Sequence, residues 1–275
     1  MAYQKILTIQ DISCVGQCSL TVALPILSAC GMETCILPSA VLSTHTAGFS
    51  GFTVRDLTDD IPGIRAHWEK EGIRFNAIYT GYLGSTKQID DVQEIFDTML
   101  TENGAKIVDP AMADNGKLYP AFDMDYVEAM KGLCFGADIL LPNITEACFL
   151  TDMPYQETYD RAYIEDLLAK MTAAGAKTVV LTGVSYEEGK TGVVVYENGS
   201  YSYYEHRKIA KGCHGTGDVY ASAFVGAYLN GKTAYEAARI AADYTVKCIE
   251  NTQDDPAHWY GVKFETALGD LMKNL

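Results

Sequence analysis

The amino-acid sequence predicts an α/β protein with a mostly parallel central sheet that is covered by helices on both faces. Short apolar runs typical of buried strands alternate with helical patterns about every thirty residues, as in parallel sheets. Later in the chain, two strand patterns flank Asn198-Gly199, a strong hairpin sequence, so we expect an antiparallel hairpin at one sheet edge. The chain contains no linker, low-complexity tract or internal repeat, and we expect one domain over residues 1–275.

The first half of the chain is predicted to alternate strands with helices. Ser19 can cap the first helix and Gly31 ends it. Pro38 is expected to end the second strand, and the polar, glycine-rich segment 39–53 that follows has the length of a functional loop. In order, the predicted elements are strand 5–10, helix 19–30, strand 32–37, helix 64–70, strand 76–80, helix 85–101 and strand 106–108.

The second half continues this alternation and ends in helices. Asp109-Pro110 follows a strand, and Pro142-Asn143 leads into a short helix that carries Glu146. The remaining predicted elements are helix 123–133, strand 137–141, helix 161–174, strand 177–181, strands 191–196 and 201–206, and helices 217–229, 233–250 and 262–274.

Composition and charge exclude several classes of partner. The chain has 36 acidic and 21 basic residues, a formal net charge of −15, which argues against binding to nucleic acid or to an anionic membrane. No apolar run is long enough to span a bilayer, and residues 1–10 lack the pattern of a signal peptide. The eight cysteines show no metal-binding spacing. These observations predict a cytoplasmic protein in a reducing compartment.

The segment from Lys211 to Asp218, Lys-Gly-Cys-His-Gly-Thr-Gly-Asp, leads directly into a helical pattern. A glycine-rich turn at a helix N-terminus exposes backbone N–H groups at the positive end of the helix dipole, which favours binding of a phosphate. Asp218 is itself an anion, so it suggests a base beside the phosphate site. Glycine turn and carboxylate together suggest phosphoryl transfer, although the same residues could form only a capped helix start.

Polar residues follow most of the predicted parallel strands. In a parallel sheet with right-handed crossovers, ligands bind at the carboxyl ends of the strands. One rim of the sheet is therefore expected to collect Asp11, the 39–53 loop, Gly81-Tyr82, Asp109, Asn143 and Thr182-Gly183.

Several nucleotide and hydrolase motifs are missing. Gly189-Lys190-Thr191 resembles the end of a Walker A motif, but its spacing from Gly183 is wrong and a strand follows it. The first strand is not followed by Gly-x-Gly-x-x-Gly, and no Gly-x-Ser-x-Gly elbow is present. P-loop, dinucleotide-binding and Ser-His-Asp hydrolase functions are therefore disfavoured.

Six motifs in this order resemble those of pyridoxal kinases in the ribokinase-like superfamily. The resemblance covers nearly the full chain and implies a three-layer αβα fold. Its motifs are Ile9-Gln10, Ser43-Thr44-His45-Thr46, Thr80-Gly81-Tyr82-Leu83-Gly84-Ser85, Val108-Asp109-Pro110, Pro142-Asn143 with Glu146, and Gly215-Thr216-Gly217-Asp218.

The resemblance implies transfer of the ATP γ-phosphate to the 5′-hydroxymethyl group of pyridoxal, pyridoxine or pyridoxamine. It makes Asp218 the base, with Gly215, Thr216 and Gly217 holding the phosphate charge. The implied substrate residues are Asp11, Ser43, His45, Thr46 and Tyr82. The implied nucleotide residues are Asp109, Asn143, Glu146, Thr182 and Gly183, of which Asp109 and Glu146 bind Mg²⁺, in part through water.

The chain departs from the family pattern at three places. Asp11 stands where serine is common, and Leu141 stands where animal members carry threonine. Cys213-His214 is similar to hydroxymethylpyrimidine kinases, so that activity, or a sugar kinase, is an alternative. A non-catalytic pyridoxal or nucleotide binding protein on the same fold is another. Pyridoxal kinases are usually homodimers, and the resemblance leaves open a monovalent cation such as K⁺.

Overall fold

A computed structural model describes residues 3–209 and 213–275. In these residues the chain forms a nine-stranded sheet and a separate two-stranded hairpin. The strands are β1 Lys5–Ser13, β2 Glu33–Leu42, β3 Val54–Asp56, β4 Phe75–Thr80, β5 Leu100–Val108, β6 Ala113–Asp114, β7 Lys117–Leu118, β8 Ile139–Leu140, β9 Thr178–Val184, β10 Lys190–Glu197 and β11 Ser200–Arg207.

The sheet has the order β11-β10-β9-β8-β5-β4-β1-β2-β3. Neighbours from β9 to β2 pair in parallel, which confirms the mostly parallel sheet. The predicted edge hairpin is confirmed as β10 and β11, which pair antiparallel. Its two turn residues, Asn198 and Gly199, have φ values of 52° and 79°, the left-handed backbone that a tight hairpin turn needs.

Helices cover both faces of the sheet. They are α1 Leu20–Ala29, α2 Ile61–Lys70, α3 Thr86–Met99, α4 Met124–Phe135, α5 Ile144–Thr151, α6 Arg161–Ala173, α7 Thr216–Leu229, α8 Ala234–Glu250 and α9 Leu268–Asn274. Successive side chains of a strand point to opposite faces of the sheet. Leu7 therefore packs in the core with helices α2 to α6, whereas Ile6 packs in the core with α1 and α7 to α9. The three-layer αβα prediction is confirmed. Over residues 3–209 and 213–275, no helix has both the length and the apolarity to cross a membrane.

The first two strands are longer than the sequence indicates. β1 continues through Asp11 to Ser13, so the predicted strand end at Gln10 is wrong. β2 continues past Pro38 to Leu42. Pro38 pairs with Gln10 just before the register of this ladder shifts, so the missing proline N–H falls beside an irregularity. The antiparallel edge strand β3 was not predicted.

Further boundaries were predicted wrongly, among them the start of β5, which is Leu100 and not Lys106. The third helix ends at Met99 instead of residue 101, because Leu100 already pairs with Phe75 of β4. The predicted final helix 262–274 is a short 3₁₀ helix, Phe264–Ala267, followed by α9. The small hairpin β6–β7 was also missed, although Asn115 and Gly116 form its turn with positive φ values.

Strand β1 is the point at which the connections of the sheet change direction. From β1 the chain continues to β2 on one side, and it later returns to β4 on the other side. The helices after β1 and before β4 lie on opposite faces, and in open α/β sheets ligands bind at the carboxyl ends of the strands beside such a point, here β1 and β4.

Candidate active site

The strand-end residues lie along the carboxyl edge of the sheet, as the parallel arrangement requires. Asp11 is near the end of β1, Gly81 and Tyr82 follow β4, and Asp109 follows β5, where its N–H donates to the Thr80 carbonyl oxygen at 3.0 Å. Asn143 follows β8 and forms a parallel bridge with Thr182 of β9.

The Gly215–Gly217 turn begins α7 beside the loop that follows β1. Gly215 has a φ of 73°, and a side chain here would collide with the carbonyl oxygen of Gln17. Both the backbone angle and this close approach require glycine. Gly215 is the N-cap residue and has no side chain to accept from the first N–H groups of α7, which therefore suit an anionic ligand. The Thr216 hydroxyl donates to the Cys213 carbonyl oxygen at 3.3 Å. Lys211 and Gly212, which open the predicted motif, lie outside the described residues.

Asp218 lies in the first turn of α7, partly buried beside Ser19. Burial and, to a smaller extent, the charge of Asp11 raise the pKa of this carboxyl, a hydrogen bond from the Ser19 N–H lowers it, and the net pKa is about 7. A carboxyl with a pKa near neutrality is suited to accept a proton during catalysis.

Ser19 holds Asp11 and Asp218 in place from a strained backbone. Its φ of 52° and ψ of −133° are unusual for a residue other than glycine. It does not cap α1 with its side chain, contrary to the prediction. Its hydroxyl donates instead to Asp11 Oδ1 at 2.6 Å, while its N–H donates to the Asp218 carboxylate.

Asp109 and Glu146 form an acidic pair beside Asp218. Burial and the charges of Glu146 and Asp218 raise the pKa of Asp109, and burial raises the pKa of Glu146 to about 7. Glu146 is only 3% exposed, and its two oxygens accept from the backbone N–H groups of Met112 at 3.2 Å and Asn143 at 2.8 Å. Because the Asn143 side chain caps α5 by accepting from the Glu146 N–H at 2.9 Å, the cap and the acid orient each other.

The acidic pair offers hard oxygen ligands but not a complete cation cage. In the part of the chain that the structure describes, no three His, Cys, Asp or Glu side chains converge as metal ligands. Two carboxylates completed by water and phosphate oxygens fit Mg²⁺, which commonly keeps waters and binds with a substrate phosphate. Since both Glu146 oxygens already accept backbone hydrogen bonds, Glu146 suits contact through water.

A cleft of about 610 Å³ lies next to the acidic pair. Its walls include three predicted nucleotide residues, Asn143, Thr182 and Gly183. The Thr182 N–H donates to the Pro142 carbonyl oxygen at 2.9 Å, which fixes the end of β9 against the start of α5. Lys208 also lines the cleft and brings a positive charge to this side of the site.

Asp11 and Tyr82 form a second group near Asp218, whose pKa the charge of Asp11 raises. Asp11 is buried, and its carboxylate accepts from the hydroxyls of Ser13 at 3.0 Å and Ser19 at 2.6 Å. Burial raises its pKa in spite of these hydrogen bonds. The Asp11 charge, after burial, also raises the pKa of Tyr82, whose partly exposed ring lies 5.3 Å from that of Phe122. The Asp11 carboxylate, a hydrogen-bond acceptor, and the aromatic ring of Tyr82 are therefore close together.

The other predicted substrate residues belong to the loop after β2. His45 is buried; its Nε2 lies 2.7 Å from the Tyr260 carbonyl oxygen, and its Nδ1 accepts from the Ala47 N–H at 3.2 Å. These partners select the tautomer protonated on Nε2 and occupy both ring nitrogens. The Ser43 hydroxyl accepts from the Thr53 N–H at 2.9 Å and closes the loop at its base, whereas Thr46 is exposed.

Sequence patterns missed the residues that connect these groups. Ser13, Gln17 and Ser19 hold Asp11, Gly215 and Asp218, but hydroxyl and amide side chains in a loop are common and carry no specific pattern. The positive φ of Ser19 could not be foreseen from the residue type.

Residues 27–261 match the model of the phosphomethylpyrimidine kinase family. This match covers most of the chain and includes the acidic pair and the Gly215–Gly217 turn. The chain belongs to the phosphomethylpyrimidine kinase family. Its curated relatives include the hydroxymethylpyrimidine/phosphomethylpyrimidine kinase of Bacillus subtilis, which is 28% identical over 78% of this chain and 77% of that protein. The predicted enzyme class, a phosphotransferase, is confirmed.

Solved structures of family relatives confirm the ribokinase-like fold. A protein from Bacteroides thetaiotaomicron, provisionally named a phosphomethylpyrimidine kinase, is 36% identical with a TM-score of 0.93, over 98% of this chain and 94% of that chain. A second crystal form of the Bacteroides protein contains pyridoxal. The pyridoxal kinase of Lactobacillus plantarum is 32% identical with a TM-score of 0.91, over 99% of this chain and 98% of that chain.

The raised pKa of Asp218 predicts a pH-dependent gain in stability for Asp218→Asn. Between pH 4 and 7 the folded protein keeps a proton that the unfolded chain has released, so ionisation of Asp218 lowers stability as the pH rises. The variant cannot ionise here. Its free energy of unfolding, relative to the wild type, should therefore increase from pH 5 to pH 8 in urea titrations.

The matched control is Asp90→Asn, which removes an exposed carboxylate from α3. The burial account is contradicted if the two variants show the same pH dependence relative to the wild type.

Proposed function

We propose that this protein is a vitamin B6 kinase that transfers the γ-phosphoryl group of ATP to the 5′-hydroxymethyl group of pyridoxal, pyridoxine or pyridoxamine. The observation that carries the proposal is the position of Asp218 immediately after the Gly215–Gly217 turn, with a pKa raised to about 7 by burial. The base and the phosphate-binding turn then belong to the same helix start, so an acceptor hydroxyl and a phosphate can meet between them.

Asp218 acts as the base in this mechanism. It takes the proton of the acceptor hydroxyl as the oxygen attacks the γ-phosphorus and the bond to the leaving nucleotide oxygen breaks. Its pKa near neutrality keeps a sizeable ionised fraction at physiological pH and also makes proton transfer from an alcohol less unfavourable than for an ordinary carboxylate. The Ser19 N–H holds the carboxylate in a fixed direction.

The Gly215–Gly217 turn stabilises the negative charge on the transferring group. Its N–H groups lie at the positive end of the α7 dipole and are oriented before the substrate arrives, so little reorganisation is needed in the transition state.

Asp109 and Glu146 require a cation before they can lie beside a nucleoside triphosphate, because the carboxylates and the phosphates carry like charges. When bound, Mg²⁺ offsets the charge of the β- and γ-phosphates and of these two carboxylates. Asp109 suits direct contact with the ion, and Glu146 suits contact through water because its oxygens already accept backbone N–H groups. Asn143, Thr182 and Gly183 bind the nucleotide from the adjoining cleft.

Asp11 and Tyr82 bind the vitamin ring. The Tyr82 ring offers an apolar face for a pyridine, and the Asp11 carboxylate accepts a hydrogen bond from a protonated ring nitrogen. Support for this ring comes from the Bacteroides relative, whose second crystal form contains pyridoxal. Family members that carry serine at the position of Asp11 lack such a charged acceptor.

Hydroxymethylpyrimidine is the second candidate substrate. An aminopyrimidine also carries N–H donors that a carboxylate at Asp11 can bind, and the matching family is named for phosphomethylpyrimidine phosphorylation. For either substrate we infer a cytoplasmic, single-domain enzyme that assembles as a homodimer, which light scattering of the purified protein can test.

Asp218→Asn should lower kcat by about three orders of magnitude or more, because the amide cannot accept the hydroxyl proton. The amide still accepts the Ser19 hydrogen bond, so the Kd for an ATP analogue should change less than about threefold. Steady-state kinetics and calorimetry measure the two quantities. Normal turnover in the variant would contradict the role of Asp218 as base.

Comparison of kcat/KM values for pyridoxal, pyridoxine, pyridoxamine, hydroxymethylpyrimidine and ribose tests the substrate. We expect a B6 vitamer to exceed hydroxymethylpyrimidine by about tenfold or more, and Asp11→Ser to change the ranking while leaving the KM for ATP nearly constant. A higher value for hydroxymethylpyrimidine would favour the second candidate, and binding of pyridoxal without formation of ADP would favour a non-catalytic protein.

A further inference from the structure

The segment 253–263, which follows α8, packs on the loop that contains His45. The Tyr260 carbonyl oxygen accepts from His45 Nε2 at 2.7 Å. The Phe49 ring lies 4.6 Å from the Trp259 ring and 6.3 Å from the Tyr260 ring, measured between centroids. The 253–263 segment thus contacts the 43–53 loop through one hydrogen bond to a backbone carbonyl oxygen and through one aromatic cluster.

The same segment also contacts Gln17, which lies against the phosphate-binding turn. Gly261 packs so closely on the Gln17 side chain that a Cβ at this glycine would collide with it. Gln17 Nε2 donates to Glu265 Oε1 at 2.9 Å, just beyond the segment, and the Gln17 carbonyl oxygen lies against Gly215. The 253–263 segment therefore contacts both the 43–53 loop and the residue that supports the Gly215–Gly217 turn.

Trp259 lies directly over the backbone of the loop. Gly48 has a φ of +85°, and a Cβ at this position would come within 2.8 Å of the indole Cζ3. The indole is nevertheless 43% exposed, so it is not a core side chain in the usual sense. The structural effect of this indole is therefore its contact with the loop and not its burial in a core.

We propose that Trp259 is a positioning residue that holds the 43–53 loop against the substrate side of the site and so sets the affinity for the acceptor substrate. The identity of that acceptor rests on the proposed function, whereas the contact between Trp259 and the loop does not. Because Thr46 lies between the His45 anchor and Gly48, movement of either anchor changes the position of Thr46. Asp218 and the nucleotide cleft lie on other elements and keep their geometry.

Two glycines of the same loop provide a matched pair of variants. Gly48 and Gly51 both have positive φ values, +85° and +69°, so alanine is strained at either position. A Cβ at Gly51 meets no atom within 4 Å, whereas a Cβ at Gly48 meets Trp259. The difference between Gly48→Ala and Gly51→Ala therefore isolates the contact with Trp259.

The first measurement is amide hydrogen exchange of residues 44–49, which needs no substrate. Gly48→Ala should accelerate exchange of this segment about tenfold more than Gly51→Ala, and in a Trp259→Ala background the two should agree within about twofold. Equal effects of the two glycine variants in the wild-type background, or a difference that persists without Trp259, would overturn the proposal.

The second measurement is steady-state kinetics of the full-length enzyme. Trp259→Ala should raise the KM for the acceptor about tenfold, with kcat and the KM for ATP within about twofold, and Trp259→Phe should restore most of the affinity. Tyr201→Ala, which truncates an exposed aromatic on β11, is the control and should leave all three constants unchanged. A loss of kcat with an unchanged acceptor KM would overturn the proposal.

The two measurements separate failure of the proposed function from failure of this inference. If the wild type phosphorylates no B6 vitamer, the proposed function fails, while hydrogen exchange still decides whether Trp259 positions the loop.

Discussion

The structure depends on holding several acidic side chains together at one edge of the sheet. Burial raises the pKa of Glu146 and Asp218 to about 7, and burial with the charges of Glu146 and Asp218 raises that of Asp109. The fold tolerates this repulsion because backbone N–H groups face the acids: those of Met112 and Asn143 donate to Glu146, and that of Ser19 donates to Asp218. Ionised carboxylates then become available to a cation that arrives with phosphate.

Topology brings these groups together from distant parts of the chain. The connections of the sheet reverse at β1, β5 and α5 supply the acidic pair, and α7 begins where Gly215 fits against Gln17. The 253–263 segment then contacts both Gln17 and the 43–53 loop, which carries the predicted substrate residues. The 43–53 loop and the residue beneath the Gly215–Gly217 turn are thus linked by one set of contacts, which suits a reaction that requires mainly positioning and charge stabilisation.

Local patterns were sufficient to predict the strand and helix alternation, the Asn198-Gly199 hairpin and the rim of polar strand ends. They failed where distant pairing decides the outcome. Ser13 pairs with Leu42, so Asp11 lies within β1 and not in the expected loop, and its buried carboxylate accepts two hydroxyl hydrogen bonds. His45 bonds to Tyr260, more than two hundred residues away, which no local pattern records. The proposed roles of the site residues rest on such contacts and on the chemistry of the side chains.

The most direct test of the central claim is proton release when a non-hydrolysable ATP analogue binds with Mg²⁺ at pH 7, measured by calorimetry in buffers of different ionisation enthalpy. Burial raises the pKa of Asp109 and raises that of Glu146 to about 7, so Glu146 is partly protonated at pH 7 without ligand. A bound cation lowers the pKa of such a carboxyl, so the wild type should release protons. Glu146→Gln should release fewer. Absence of release, net proton uptake, or release that is unchanged in Glu146→Gln would contradict a cation and phosphate site built on these buried acids.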